Sequence, residues 1–318
     1  MSQTATISKP VKAVADPLLA ELAGRLSAQA VVRRDEPLAK RTTLRVGGAA
    51  ELYVEPASET DLSSLLRFSS ERKLPFFVLG RGSNLLVRDG GVRGLVIALA
   101  QAHFSRIEAQ GERLCCGAGA KLKAVAVEAK RNSVGGFEFL EGIPGTVGGA
   151  LRMNAGAMGG ATFDLVESLR VMGPSGNASD VVPNDLRVEY RGCATLRTQV
   201  ALSAVLRGHP EARAEIERRM FEFSQRRWKT QPAAPSAGCI FKNPLTIPAG
   251  KLIDELGLKG TRIGGAFVSA EHGNFIVNDG TATANDVLEL IELIKKRAWS
   301  ERGFDLQTEV EIIGESSA

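Results

Sequence analysis

The sequence is poor in the residues from which metal centres, disulfide frameworks and nucleic-acid platforms are built. Its 318 residues hold four cysteines (Cys115, Cys116, Cys193, Cys239) and three histidines (His103, His209, His272). No two cysteines form a C-x-x-C pair and the histidines are dispersed, so no metal site and no disulfide framework are expected. The thiols read as free, in a reducing compartment. Aromatic residues make up 5%, too few for base-stacking platforms. Forty basic against thirty-six acidic residues leave a net charge of +4, without a dense Lys/Arg block, so nucleic acid is not expected as a partner. No apolar run reaches the length of a membrane span, and the N-terminus lacks the basic-then-apolar layout of a secretory signal. These absences lead to the expectation of a cytoplasmic monomer with no membrane partner, whose residues 1–16 form a disordered extension.

What the sequence does have is glycine, concentrated in two short runs. Gly142-Ile143-Pro144-Gly145-Thr146-Val147-Gly148-Gly149 holds four glycines in eight positions, and Asn154 and Gly156 follow in a further small-residue stretch. Backbone without Cβ atoms lets amides approach a ligand closely. The spacing is not that of the G-x-G-x-x-G dinucleotide fingerprint. Upstream, Gly80-Arg81-Gly82-Ser83-Asn84 joins two apolar runs. Successive amides in such a turn make an anion-binding concavity, to which Ser83 and Asn84 add side-chain donors. Each run alone is also compatible with a surface loop or an ordinary hairpin turn. Together they favour a flat, phosphate-bearing cofactor of dinucleotide type.

Periodicity supplies the organisation. Leu18, Leu19, Leu22 and Leu26 predict a helix over 17–30, and 58–72 a helix opened by Ser58 between strands at Ala50–Val54 and Phe76–Leu79. Further strands are expected at Leu95–Leu99, Val166–Met172, Leu186–Tyr190 and Val200–Leu206, and a helix at Leu122–Arg131. A charged helix over 210–228 precedes a proline-containing stretch, Gln231–Ser236, which reads as a linker. Beyond it a short helix (Gly250–Leu256), a strand (Gly273–Val277) and a helix over Thr283–Arg297 are expected. In the last, Thr283 and Asp286 make a capping box and Lys295, Lys296 and Arg297 the C-terminal turn. Val310–Ile313 closes the chain as a strand.

In this order the chain also carries Thr42-Thr43-Leu44-Arg45-Val46-Gly47-Gly48, Gly80 to Asn84, Glu141 to Gly149, Tyr190-Arg191, Gly238-Cys239-Ile240-Phe241-Lys242-Asn243-Pro244, Ala249 to Asp254 and Glu309-Val310. This series, spread over residues 40–314, resembles the UDP-N-acetylenolpyruvoylglucosamine reductase (MurB) family, in its shorter branch without an inserted tyrosine-bearing loop. The resemblance implies an α+β fold: a two-subdomain FAD-binding fold of the vanillyl-alcohol-oxidase type plus a C-terminal α+β substrate domain. The implied layout is subdomains at 17–100 and 101–209, a substrate domain at 210–305 and a C-terminal strand within 306–318. It implies bound FAD, NADPH as hydride donor, and reduction of UDP-GlcNAc-enolpyruvate to UDP-N-acetylmuramate for peptidoglycan synthesis.

Matched position by position, the resemblance makes Arg191 a partner of the substrate carboxylate and Glu309 a group opposite it. Cys239 becomes the proton donor, where relatives carry serine. A thiol of ordinary pKa, about 8.5, is competent to protonate a carbanion, and a partly exposed thiolate beside Lys242 would be open to oxidation or alkylation. Tyr190, Lys242 and Asn243 are the expected substrate contacts, with Lys251, His272 and Asn274 behind them. Cys193 and Met158 also depart from the family pattern; the first is expected to pack without chemistry and the second to alter flavin packing. Two other readings stand beside this one: a flavin oxidase acting on an alcohol, and a flavin and nucleotide-sugar binding protein without turnover.

Overall fold

The computed structural model describes residues 17–317. The expected extension at 1–16 lies outside the described residues. The first helix, α1 (Pro17–Gly24), is shorter than its leucine spacing predicts. Ser27 is drawn away from it: its N–H and Oγ both donate to the carboxylate of Asp61, each at 2.8 Å. The chain then enters a strand the sequence did not announce, β1 (Val31–Pro37). Next come β2 (Ala49–Glu55), α2 (Glu59–Arg72) and β3 (Phe76–Leu79), a β-α-β unit in which Ser58 caps the helix by accepting from the Asp61 N–H. After β4 (Leu85–Val87), β5 (Val92–Ala98) inserts parallel between β2 and β3, giving the order β1-β2-β5-β3.

The second unit is an antiparallel sheet. It contains β6 (Ile107–Gln110) and β7 (Arg113–Gly117), followed by helices α3 (Leu122–Arg131) and α4 (Val147–Met153). Then come β8 (Val166–Met172), β9 (Ala178–Val181) and β10 (Val200–Arg207), in the order β9-β8-β10-β7-β6. The strand expected at Leu186–Tyr190 reduces to Val188–Glu189 paired with Gly192–Cys193. Helix α5 (Arg213–Thr230) buries Ile216 and Met220 in the core that Val125, Leu140 and Leu206 also enter. Residues 213–230 thus share the core of the unit before them, and the change of core falls in the proline-containing stretch that follows.

A separate core begins there. It is built from β11 (Ser236–Cys239), α6 (Ala249–Glu255), β12 (Arg262–Ile263), β13 (Ala266–Val268), β14 (Phe275–Asn278) and α7 (Ala284–Arg302). The capping box of Thr283 and Asp286 is present. The helix, however, runs past Arg297 to a left-handed stop at Gly303, φ +68°, which only a residue without Cβ adopts freely. Lys295, Lys296 and Arg297 therefore lie a turn or more inside the helix, and Arg302 occupies its last turn. The last strand, β15 (Glu311–Ile313), leaves this unit and pairs in parallel with β4 of the first. That return brings the chain's end back to the glycine turn that precedes β4.

Asp61 is the fastener of the first unit. Burial alone would raise its pKa, but donors from Ser27, Ala57 and Ser58 outweigh it and hold the carboxyl below its ordinary value. An Asp61→Ala variant should lose about 2–3 kcal/mol at pH 7. The folded carboxyl titrates below the unfolded value of about 3.9. Its stabilisation is therefore complete above that pH and fades as pH falls through the folded value. Urea unfolding of both proteins at pH 7 and near pH 3 should show the gap narrowing in acid; a gap that stays constant would remove the carboxylate from this role.

Candidate active site

The two glycine runs meet. A Cβ on Gly80 would stand 2.8 Å from Thr146 Oγ1, so the first turn rests directly on the start of α4. Gly82 has φ +64°, and a Cβ there would come within 2.8 Å of Thr42 Cα. Among the described residues, the N–H groups of Arg81, Gly82 and Ser83 have no hydrogen-bond partner. They remain available to a ligand. Along this junction run two adjoining cavities of about 470 and 790 Å³, which share walls at Gly80, Arg81, Thr146, Gly149 and Arg152.

The larger cavity is lined by Gly80 to Asn84, by Gly142 to Thr146 with Gly149, and by Gly156. Gly148 lines the smaller one, beside Tyr53, Phe77 and Leu99. Two of the expected cofactor contacts bond within the protein. Asn154, at φ +40°, donates its Nδ2 to Glu189 O at 3.2 Å and lies outside both cavities. Asn84, which lines the larger cavity, donates its Nδ2 to Glu309 O at 3.0 Å, so its side chain also ties down the C-terminal strand.

Arg191, Cys239 and Glu309 also line the larger cavity. Their approach follows from main-chain pairing, since Glu309 N–H donates to Ile240 O at 2.8 Å and Phe241 bridges Thr308. Leu306 and Val310 point into the core, which leaves Glu309 turned to the cavity as its alternation predicts. Arg191 holds φ +57°, a left-handed conformation that costs a branched-off side chain energy and is characteristic of functional positions. Its Nε lies 3.1 Å from Glu309 Oε1. The contact is an ion pair without hydrogen-bond geometry, so the buried Nε–H still lacks an acceptor.

Electrostatics in this corner favour neutral acids. Burial raises the pKa of Glu309, against the pull of Arg191 and Lys242. Burial, reinforced by the charge of Glu309 and opposed by Arg191, pushes the Cys239 thiol up to about 12. The expectation of a reactive thiolate beside Lys242 is thereby corrected: desolvation keeps this sulfur protonated.

The remaining expected substrate contacts do not line either cavity. Tyr190 is exposed, with the Arg191 guanidinium 5.2 Å from its ring centre. Lys242 and Asn243 are exposed, and Asn243 Oδ1 accepts from the Ala249 N–H at 3.0 Å, which steadies the start of α6. Lys251 lies 3.8 Å from Glu255 on the same helix. Asn274 is buried and clamps Phe241 twice, accepting from its N–H at 2.9 Å and donating to its carbonyl at 2.8 Å. His272 Nδ1 accepts from the Asn274 N–H at 3.1 Å. These last two belong to the frame behind Cys239. Conversely, Arg227 and Trp228 at the end of α5 line the larger cavity, although in the sequence they are indistinguishable from the charged surface of that helix. Burial lowers the Arg227 pKa, against the pull of Glu141.

The cleft fits a flavin dinucleotide. It offers free main-chain donors and glycine surfaces, and it offers Lys40, Arg81 and Lys121, for which the described residues include no acidic partner within salt-bridge distance. Residues 50–181, which contain both glycine runs, match the family model of the FAD binding domain, so the fold and cleft define an FAD-binding protein. Residues 231–313 match a second model, the C-terminal domain of UDP-N-acetylenolpyruvoylglucosamine reductase. Proteins described as UDP-N-acetylenolpyruvoylglucosamine reductase from Pelobacter propionicus and Syntrophomonas wolfei are 44% and 38% identical. The alignments cover 91% and 89% of this chain and 98% and 95% of those proteins. The crystal structure of the Thermus caldophilus reductase superposes with a TM-score of 0.79 at 39% identity, over 89% of this chain and 98% of that one. The chain belongs to the UDP-N-acetylenolpyruvoylglucosamine reductase family.

A thiol held at about 12 should be slow to alkylate. At pH 7.5 we expect carboxamidomethylation of Cys239 by iodoacetamide, followed by peptide mass spectrometry, to run about a hundredfold or more below a free cysteine. The rate should keep rising beyond pH 9. Labelling at the free-cysteine rate would show that the site does not hold the thiol protonated.

Proposed function

We propose that this cleft carries out the FAD-dependent, NADPH-consuming reduction of UDP-GlcNAc-enolpyruvate to UDP-N-acetylmuramate, with Arg191, Glu309 and Cys239 acting on the enolpyruvyl group. The observation that supports this most is the convergence of these three side chains, from three distant parts of the chain, on one cavity that the pair of glycine runs also lines. FAD, which the two glycine runs would hold, would supply hydride transfer from NADPH to the double bond. Every other requirement falls to the protein.

Adding hydride to an enol ether conjugated to a carboxylate places negative charge on that carboxylate and on the adjoining carbon. The Arg191 guanidinium, planar and with an unsatisfied Nε–H, suits the carboxylate. Glu309, paired with Arg191 at 3.1 Å, holds that guanidinium on the same side, and burial raises its pKa against the pull of Arg191 and Lys242. The Cys239 thiol holds its proton at neutral pH and releases it to the carbanionic carbon. The thiolate left behind is offset by Arg191, and solvent reprotonates it between turnovers. Arg227 and Arg45, which line the same cavity, suit the diphosphate of the nucleotide sugar.

The product's place is peptidoglycan synthesis. We read the protein as a cytoplasmic monomer that serves wall growth and division; in keeping with that, no helix among the described residues is long and apolar enough to cross a membrane.

The test is anaerobic. Flavin reduced by NADPH should regain its oxidised band when UDP-GlcNAc-enolpyruvate is added; a band that stays bleached until air enters would point to an oxidase or a silent binder. A Cys239→Ala variant should still be reduced by NADPH but be reoxidised by substrate about 10²-fold more slowly or worse, whereas Cys239→Ser should keep substantial activity. Unimpaired reoxidation in the alanine variant would remove the thiol from the mechanism.

A further inference from the structure

Two charged side chains in the cleft have no part in the chemistry above. Arg152, on α4, and Glu311, the first residue of β15, form a bidentate ion pair: Nη2 donates to Oε1 at 2.8 Å and Nη1 donates to Oε2. The pair spans 159 positions of sequence. Both residues line the larger cavity, and Arg152 lines the smaller one as well. Each is about 30% exposed, and the guanidinium stands 5.9 Å from the centre of the Phe77 ring.

The pair closes a ring of contacts beside Glu309. Glu311 N–H donates to Asn84 O at 3.0 Å. The Asn84 side chain returns by donating to Glu309 O at 3.0 Å, and it also reaches Met153 Sδ, next to Arg152, at 3.6 Å. Glu309 itself lies two residues before β15 and outside its ladder with β4, which begins at Glu311. On the Ile240 side Glu309 and Val310 are held by their N–H groups, at 2.8 and 3.3 Å from Ile240 O, so on the β4 side the ladder that starts at Glu311 sets where this short segment leaves the strand. A fork-to-fork Arg–carboxylate contact fixes both distance and plane, and here it fixes the residue from which Glu309 hangs.

We propose that Arg152 and Glu311 are a positioning pair for the second half-reaction, holding the C-terminal strand so that Glu309 stays within reach of Arg191 and Cys239. The inference rests on the reductase reading of the site. Neither residue touches the reacting carbon; they act through Glu309. Flavin reduction by NADPH does not call on Glu309 and serves as the internal reference.

The test uses FAD-saturated holoenzymes in anaerobic stopped flow: wild type, Arg152→Met, Glu311→Gln, Arg152→Lys and the swap Arg152→Glu with Glu311→Arg. In the two neutralised variants the ratio of the reoxidation rate to the reduction rate should fall about tenfold or more, in keeping with a misplacement of the order of 1 Å. Arg152→Lys should fall less, and the swap should recover most of the loss. A ratio unchanged in both neutralised variants overturns the proposal, as does a swap no better than the single variants. So does an equal loss in both half-reactions, which would mark a pair that merely supports cofactor binding. Should a neutralised variant fail to fold, the lysine variant and the swap decide the matter by the same ratio. Wild-type flavin that substrate cannot reoxidise would instead reject the reductase reading, independently of the pair.

Discussion

The pairing of the last strand with Leu85–Val87 is the constraint from which the site follows. It joins residues 225 positions apart, with Asn84 bonded to Glu309, and it makes one edge serve two purposes. On one side of that edge the glycine turn presents its unpaired amides. On the other the strand delivers Glu309 toward Arg191 and Cys239. Parallel pairing between chain segments this distant closes a very large loop, whose entropic cost is met only when both flanking cores are formed. The site therefore exists only in the completed fold.

Within the site, desolvation decides the protonation states. In water a carboxylic acid, a thiol and a guanidinium would be two-thirds charged at neutral pH. Buried together beside Arg191, the acid and the thiol both have their pKa values raised. That arrangement suits a reaction that makes an anion and must then protonate it: a fixed cation faces the developing charge, and the proton is held on the group that will give it up. A cysteine fits this environment, because burial removes much of the acidity by which a thiol ordinarily differs from an alcohol. Around this corner the cleft keeps spare cations, which draw polyanionic ligands toward it.

The left-handed Arg191 and the fork between Arg152 and Glu311 express one theme. Side chains that must be placed to within a fraction of an ångström are anchored by backbone strain or by planar charged pairs, not by packing against the hydrophobic cores. The hydrophobic cores position whole units; the polar clamps position single side chains.

Much of this was legible in the sequence where the information is local. Helix α3 and strand β8 have their expected bounds because apolar spacing and flanking glycines act over a few residues, and Ser58 and Thr283 cap as their side chains dictate. The glycine runs announced a main-chain surface for a cofactor, since absence of Cβ is itself a sequence fact. Motif order brought Arg191, Cys239 and Glu309 forward. It also brought forward Asn274 and His272, whose side chains the fold spends on the backbone of Phe241 and of Asn274 respectively. Arg227, Trp228 and Arg152 gave no signal, because a cation or a lone aromatic ring on a helix looks the same whether it faces water or a cleft. The identity and order of the groups were thus written in the chain. Which of them share a cavity, which carry protons and which merely hold others in place depended on pairing across more than two hundred residues and on burial, and those are properties of the folded molecule alone.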